Sequence, residues 1–137
     1  MIDRHPLVIA RCVSVADVQH AVAFARAHDL LLSIRGGGHN IAGSALCDGG
    51  VTIDLSLMKA ITVDPNAATA VAEGGLTWVE FDRERQRFGL ATTGGAVSTT
   101  GIAGLTLGGG LGWLMGRFGY TVDTCTPRMS CCTTRQS

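Results

Sequence analysis

The run Arg35–Asn40 holds the residues best suited to chemistry, since three glycines there separate an arginine from His39. Glycine lacks a Cβ atom and permits positive φ, so several successive N–H groups can point at one anion such as a pyrophosphate. A neutral imidazole at His39 could serve as a base, a nucleophile or a covalent attachment point. Taken alone, the run is equally typical of a tight glycine turn at a strand end, with His39 as an ordinary loop residue.

A second glycine-rich stretch, residues 94–112, offers hydroxyl groups beside glycine amides. Ser98, Thr99 and Thr100 lie between its glycines, and the apolar residues around them could line a flat aromatic ligand. By itself the stretch could also be a glycine-rich connection within a sheet. Two such blocks in one chain favour a shared large ligand that carries both phosphates and a ring system.

Several common site classes lack their signatures. The chain contains neither G-x-G-x-x-G nor G-x-x-x-x-G-K-[ST], which disfavours a nicotinamide dehydrogenase and a P-loop nucleotidase. The five cysteines form no C-x-x-C and no zinc spacing with histidine, so we expect no metal site and reduced thiols in a cytoplasmic protein. They are Cys12, Cys47, Cys125, Cys131 and Cys132.

Charge and hydropathy give no reason to expect a nucleic acid or a membrane as a partner. Eleven basic and eleven acidic side chains cancel, so there is no electrostatic reason to expect a nucleic acid or an anionic membrane. Residues 88–116 carry no charge, but ten of them are glycine and six are serine or threonine. Because a membrane span is predominantly apolar, we predict no span, and the charged N-terminus does not resemble a signal peptide.

Periodicity and capping signals predict the regular elements that must position these residues. Ser14 and Asp17 form a capping box for a helix over residues 15–28, and Thr77 and Glu80 form another for a helix that reaches Arg87 and is stopped by Gly89 at C′. The charged side chains of the second helix, including Arg85, are predicted to be solvated. Strands are predicted at 30–34 and 51–55, with a hairpin of 61–63 and 69–72.

These elements predict an α+β or mixed α/β fold, with a division near Lys59. Residues 90–116 show no long periodic element. Residues 124–137 read TCTPRMSCCTTRQS, which has no periodicity, so we expect an atypical and disordered tail or an altered gene end.

Four runs, in this order, resemble a known family. They are IRGGGHNIAG (34–43), CDGGVTIDLSLM (47–58), EGGLTW (73–78) and TTGGAVSTTGIAGLTLGGGLGWLMGRFGYTVD (92–123). Over residues 6–123 the chain is similar to the PCMH-type FAD-binding domain of the vanillyl-alcohol-oxidase superfamily, in its berberine-bridge-enzyme-like or 6-hydroxynicotine-oxidase-like branch. The resemblance implies two α/β subdomains, residues 1–58 and 59–123, with the second incomplete and 124–137 as a tail.

The resemblance also implies the cofactor contacts. His39 stands where many members bond an imidazole to the flavin 8α-methyl group. Val97 stands where bicovalent members carry cysteine, so no cysteinyl link is expected. The FAD-binding residues implied are Arg35, Gly36, Gly37, Gly38, His39, Asn40, Gly43, Gly94, Gly95, Val97, Ser98, Thr99, Thr100, Gly101, Gly104, Gly108, Gly109 and Gly110.

The implied activity is that of an oxidase-type flavin-dependent oxidoreductase, with hydride transfer from an alcohol or amine carbon of a small molecule to flavin N5. No catalytic residue is identified, because the runs that match include no substrate domain, and the chain is expected to be a fragment. Two alternatives stay open: a truncated, inactive fragment that only binds FAD, and an unrelated glycine-rich nucleotide-binding module.

Overall fold

The structure, a computed structural model, describes residues 2–125, 130–132 and 134–135. Strands β1–β8 are Val8–Arg11, Leu32–Arg35, Val51–Asp54, Ile61–Asp64, Thr69–Ala72, Leu90–Ala91, Ser130–Cys132 and Thr134–Arg135. Helices α1–α4 are Val15–Ala27, Trp78–Gln86, Ile102–Leu107 and Met115–Phe118, and a 3₁₀ helix covers Thr121–Thr124. Both predicted helices, the hairpin and the two predicted strands near 30–34 and 51–55 are confirmed, with ends shifted by one or two residues.

A three-stranded parallel sheet forms the first layer, in the order β1-β3-β2. Val51 of the central strand pairs with Val8 on one side and Leu32 on the other. All four residues of β3 are buried, and both of its edges are paired. Helix α1 connects β1 to β2 and packs Ala21 against Ile53 in the core beneath the sheet.

The cap of α1 follows the predicted pattern. The Asp17 amide donates to the Ser14 hydroxyl (3.2 Å), and the Asp17 carboxylate accepts from the Ser14 amide (3.0 Å). The Ser14 hydroxyl and the Val13 amide both donate to the carboxylate and hold the pKa of Asp17 below its usual value. The helix therefore begins where two of its free amides are satisfied.

The hairpin β4–β5 anchors the second sheet. Ile61 pairs with Ala72 and Asp64 with Thr69 in antiparallel register. Strand β7 pairs with the other edge of β5, and β8 pairs with β6. The sequence indicated no element in the tail, whereas these two strands lie there because β5 and β6 offer open edges; the rest of 126–137 lies outside the described residues.

Helix α2 is fixed to the hairpin side of the molecule by one carboxylate. Glu80 Oε2 accepts from the Thr77 amide (2.7 Å), the Thr77 hydroxyl (2.8 Å) and Lys59 Nζ (2.6 Å). Burial by itself would raise the pKa of Glu80, but the hydrogen bonds from Lys59 and Thr77 outweigh it and keep the pKa below its ordinary value. The carboxylate thus stays ionised where it caps the helix.

Two expectations about α2 are wrong. Arg85 is buried rather than solvated: its guanidinium lies 4.5 Å from the centre of the Phe81 ring and pairs with Asp82. The apolar stem and planar head of arginine pack well on an aromatic face, which a charge pattern alone does not reveal. Gly89, with φ of 64°, lies two residues beyond the C-cap Arg87, not at C′, because the Phe88 amide still bonds back to Arg85.

Replacing Glu80 with alanine is expected to lower the free energy of unfolding by about 1 kcal/mol at pH 7, since a helix cap and a partly exposed ion pair are lost. The folded-state pKa is lowered, so this stabilisation is present above the ordinary glutamate pKa of about 4.3 and disappears as pH falls through the folded value. Urea melts at pH 7 and pH 3 measure the difference. Glu84→Ala, on the same helix, is the control and should change stability by less than about 0.5 kcal/mol at either pH; an equal penalty for Glu80→Ala at both pH values would contradict this account.

The main core lies between α2, the hairpin and α3. Trp78, Phe81, Leu76, Ala70 and Ile102 are its buried members. The prediction of no long periodic element in 90–116 is confirmed, since only the two-residue strand β6, the short helix α3 and the start of α4 fall there. Within the described residues, no helix is long and apolar enough to cross a membrane.

Candidate functional site

A cleft of about 500 Å³ opens between the loop after β2 and the first turn of α3. The predicted site residues that line it are Gly36, Gly37, Gly38, His39, Asn40, Thr100, Gly101 and Gly104. The walls are completed by Ile34, Ile41, Ala42, Ser44, Ala45 and Leu105. The two glycine-rich blocks, separated by about 60 residues in the chain, therefore meet at one place.

The two blocks meet through direct backbone contact. A Cβ atom on Gly37 would lie 2.2 Å from the Gly101 nitrogen, and one on Gly101 would lie 2.4 Å from the Gly37 nitrogen. Two further contacts hold Gly101 in place. It forms a β-bridge with Thr77, and the amide of the next residue, Ile102, donates to the Leu76 carbonyl. Only glycine permits this approach, which sets the width of the cleft.

His39 lies at the cleft and contacts the opposite block. Its Nε2 atom is 2.9 Å from the hydroxyl oxygen of Thr99, and both side chains are exposed. On the same loop, the Asn40 side-chain oxygen accepts from the Ser44 amide (3.0 Å) and closes a turn over Ile41 and Ala42. The His39 ring is therefore held by a contact from the opposite block.

Arg35 lies behind the glycine loop instead of lining the cleft. A Cβ atom on Gly38, whose φ is 75°, would lie 3.2 Å from Arg35 Nη2. The guanidinium is 3.7 Å from the Asp54 carboxylate, which also accepts from the Ser56 amide. Arg35 thus supplies positive charge close to the loop, partly neutralised by one buried acid.

Gly94 and Gly95 pack on the core tryptophan. A Cβ atom on either glycine would lie 2.7 Å from the Trp78 indole. The following turn satisfies the first amides of α2: the Trp78 amide donates to the Thr100 carbonyl (3.0 Å), and the Val79 amide donates to the Ser98 carbonyl (2.9 Å). The second block is therefore built on the N-terminus of α2, with Val97 about half exposed beside it.

The remaining predicted glycines lie away from the cleft lining. Gly108–Gly110 follow α3, and the Gly110 carbonyl accepts from the buried Thr121 hydroxyl (3.0 Å). That hydroxyl also contacts the Thr93 carbonyl (2.9 Å). Gly43, with φ of 77°, lies against the Ile2 side chain. The structure thus gives these positions roles in loop packing.

Sequence reasoning missed the apolar and small residues of the cleft wall: Ile34, Ile41, Ala42, Ser44, Ala45 and Leu105. The Asn40–Ser44 spacing was an available signal, since an asparagine side chain often bonds an amide a few residues on. For Ile34 and Leu105 no signal existed, because a buried strand residue and a wall residue look alike in sequence.

The acid and thiol groups outside the cleft form no metal-binding cluster among the residues that the structure describes. No group of three His, Cys, Asp or Glu side chains is arranged for a metal ion in the part of the chain that the structure describes. Cys12 and Cys47 are free thiols there. Burial, with the nearby charges of Asp17 and Asp54, raises the pKa of the Cys12 thiol. Cys12 is therefore a core residue in its neutral form.

Comparison with known proteins identifies the domain. The family described as "FAD binding domain" matches residues 6–127. (R)-6-hydroxynicotine oxidase of Paenarthrobacter nicotinovorans is 39% identical over 120 residues, which cover 88% of this chain and 26% of that protein. The crystal structure of 6-hydroxy-D-nicotine oxidase from Arthrobacter nicotinovorans superposes with a TM-score of 0.86, covering 88% of this chain and 27% of that one.

A BBE-like protein of Physcomitrella patens is 30% identical with a TM-score of 0.81, covering 85% of this chain and 26% of that one. This chain thus spans about a quarter of the length of the relatives it matches. The predicted resemblance and the predicted PCMH-type fold are confirmed by these matches. The chain belongs to the FAD binding domain family and is an FAD-binding domain of the kind found in FAD-linked oxidoreductases.

Proposed function

We propose that this chain holds FAD in the cleft, with the pyrophosphate against the amides of Gly36–Gly38. The observation that carries the proposal is the backbone contact of Gly37 with Gly101, which forms one cleft from two glycine-rich blocks. Amides in such a glycine turn can converge on an anion without the steric barrier of side chains. Gly94–Gly104 would then lie along the other side of the cofactor.

The residues present fit such a ligand. The lining contains no acidic side chain among the described residues, and Arg35 lies just behind the loop. Apolar atoms of Ile34, Ile41 and Leu105 alternate with glycine backbone and with hydroxyl and amide groups. A cleft of about 500 Å³ lies in the usual range of cofactor and small-ligand sites.

His39 is proposed to carry a single covalent bond to the flavin. Its imidazole lies at the cleft and is exposed, as a nucleophile must be. Val97 cannot form a second bond, since its side chain has no nucleophilic atom. A cofactor held in this way does not dissociate, so the pyrophosphate contacts would serve orientation more than retention.

Bound FAD supplies the chemistry of hydride acceptance at N5, from an alcohol or amine carbon of a small organic substrate. This chain's part is to bind and orient: the Gly36–Gly38 amides fix the phosphates, Arg35 contributes charge and His39 fixes the ring. The name of the relative (R)-6-hydroxynicotine oxidase supports an oxidase acting on a small molecule. We assign residues up to 58 and 59–123 to two subdomains whose junction holds the cofactor.

His39→Ala is expected to abolish covalent flavin while leaving FAD binding in place. The chain, expressed and purified with FAD, should show a visible flavin spectrum and a fluorescent band after denaturing electrophoresis. The variant should keep the spectrum and lose the band. His28→Ala, an exposed histidine on the far end of α1, is the control and should keep both. A wild-type sample with no flavin spectrum would refute the FAD-binding proposal, and a persistent band in His39→Ala would refute the histidyl link.

A further inference from the structure

The Thr99 hydroxyl makes the hydrogen bond that holds the His39 ring. Thr99 Oγ1 lies 2.9 Å from Nε2, although 60 residues separate the two in the sequence. Nδ1 has no hydrogen-bond partner within residues 2–125. The ring is therefore fixed at one nitrogen and free at the other, by a residue of the opposite glycine-rich block.

This arrangement bears on the protonation of the ring. A neutral imidazole carries a proton on one nitrogen and a lone pair on the other, and the partner of one nitrogen sets the tautomer. A threonine hydroxyl can donate to an unprotonated Nε2 or accept the proton of Nε2–H, and the second arrangement is the one that leaves Nδ1 unprotonated. Nδ1 then carries the lone pair and is the nucleophilic atom.

We propose that Thr99 is a positioning residue for the covalent attachment of FAD: by accepting a hydrogen bond from Nε2–H, it makes Nδ1 of His39 the nitrogen that bonds to the flavin. The inference rests on the FAD function proposed for the same cleft. It adds which nitrogen reacts and which residue selects it.

The attachment step balances as follows. A bond forms between Nδ1 and the 8α carbon, and one C–H bond of the 8α methyl group breaks. The methyl proton and the Nε2 proton leave, and two electrons pass to the flavin ring. Dioxygen takes up these electrons and both protons to give hydrogen peroxide, which restores the oxidised ring.

Thr99 acts on this step more than on reversible binding. As Nδ1 forms its bond, the imidazole becomes positively charged, so the bond from Nε2–H to the hydroxyl becomes charge-assisted and shortens. A hydrogen bond that becomes stronger in the transition state accelerates the reaction. A hydrogen bond that is equally strong in the ground state and the transition state does not. Loss of the hydroxyl should therefore slow attachment at saturating FAD.

Three variants test this. Thr99→Val keeps the shape of the side chain and removes the hydroxyl, and it should slow the appearance of gel-stable flavin fluorescence about tenfold or more, as expected for a hydrogen bond to a charged group. Thr99→Ser should stay within about threefold of wild type. Thr62→Val, an exposed β4 threonine away from the cleft, is the matched control and should react like wild type. Attachment rates are compared at saturating FAD, so that a change in the Kd of the freshly added cofactor is separated from a change in the attachment step.

Two further readouts separate positioning from general damage. In the apo protein, ¹⁵N chemical shifts of the His39 ring should show protonated Nε2 in wild type and a tautomer mixture in Thr99→Val. Digestion and NMR of the flavin peptide should show an Nδ1 link. Any of three results would overturn the inference. Thr99→Val could attach FAD at the wild-type rate, the link could be to Nε2, or the FAD bound to wild type could stay extractable. Extractable FAD leaves the cofactor site standing, whereas no FAD binding at all refutes the proposed function and this inference together.

Discussion

Gly37→Ala will separate the two glycine-rich blocks and destroy the cleft. The added methyl group would lie 2.2 Å from the Gly101 nitrogen and 2.7 Å from its Cα. These are backbone atoms, held in place by the bridge of Gly101 to Thr77, so no side chain can rotate away. We expect a loss of about 3 kcal/mol in the free energy of unfolding, at the upper end of overpacking effects.

The same variant should weaken FAD binding at least about tenfold, because a small displacement of a positioning element has large effects on a preorganised site. Gly101→Ala should reproduce both losses from the opposite side, since its Cβ would meet the Gly37 nitrogen at 2.4 Å. Gly116→Ala is the control: it adds the same methyl group to helix α4, where nothing lies within 4 Å. Urea melts and FAD titrations measure both quantities, and a Gly37→Ala variant as stable as Gly116→Ala would contradict the contact.

Trp78→Ala should cost about 3–5 kcal/mol, the usual range for removing a large buried aromatic side chain. Trp78 is 1% exposed, lies 5.6 Å from the Phe81 ring in an edge-on contact, and is the surface on which Gly94 and Gly95 pack. Amide hydrogen exchange over residues 94–101 should rise with the loss of stability, because the turn that caps α2 loses its support.

Trp78→Phe should cost less, about 1–2 kcal/mol, because most of the ring volume stays. The indole Nε1 is buried and has no hydrogen-bond partner among the residues described, so phenylalanine leaves no acceptor unpaired. Trp113→Ala is the natural control, since Trp113 is 88% exposed, and should change stability by less than about 0.5 kcal/mol. Denaturant melts measure the loss of unfolding free energy for each variant. Equal losses for Trp78→Ala and Trp113→Ala would contradict the position of Trp78 in the core.

The local signals in the sequence predicted the regular elements well. Ser14 with Asp17, and Thr77 with Glu80, mark helix starts that the structure confirms. The alternation of Ile61 and Val63 and the return at Thr69–Ala72 predicted a hairpin, which the structure confirms. These predictions succeeded because caps and turns are determined by residues that are close in sequence.

Contacts between residues that are far apart in the sequence could not be predicted from the sequence. Three such features are the strand order β1-β3-β2, the burial of Arg85 on Phe81 and the hydrogen bond between His39 and Thr99. Each depends on where segments that are distant in the sequence pack in the fold. The glycine pattern showed that backbone must come close to something, but it did not show that the first neighbour of Gly37 is another glycine. The sequence could therefore predict which residues belong to the candidate site, but not how they are arranged in space.

The central claim is that FAD lies against the glycine amides of the cleft, and glycine-selective ¹⁵N labelling tests it most directly. On titration of the purified chain with FAD, the amide resonances of Gly36–Gly38, Gly101 and Gly104 should shift. Those of Gly49, Gly89 and Gly116, which do not line the cleft, should not. Shifts confined to the distant glycines, or no shift at the cleft when FAD is bound, would contradict the account.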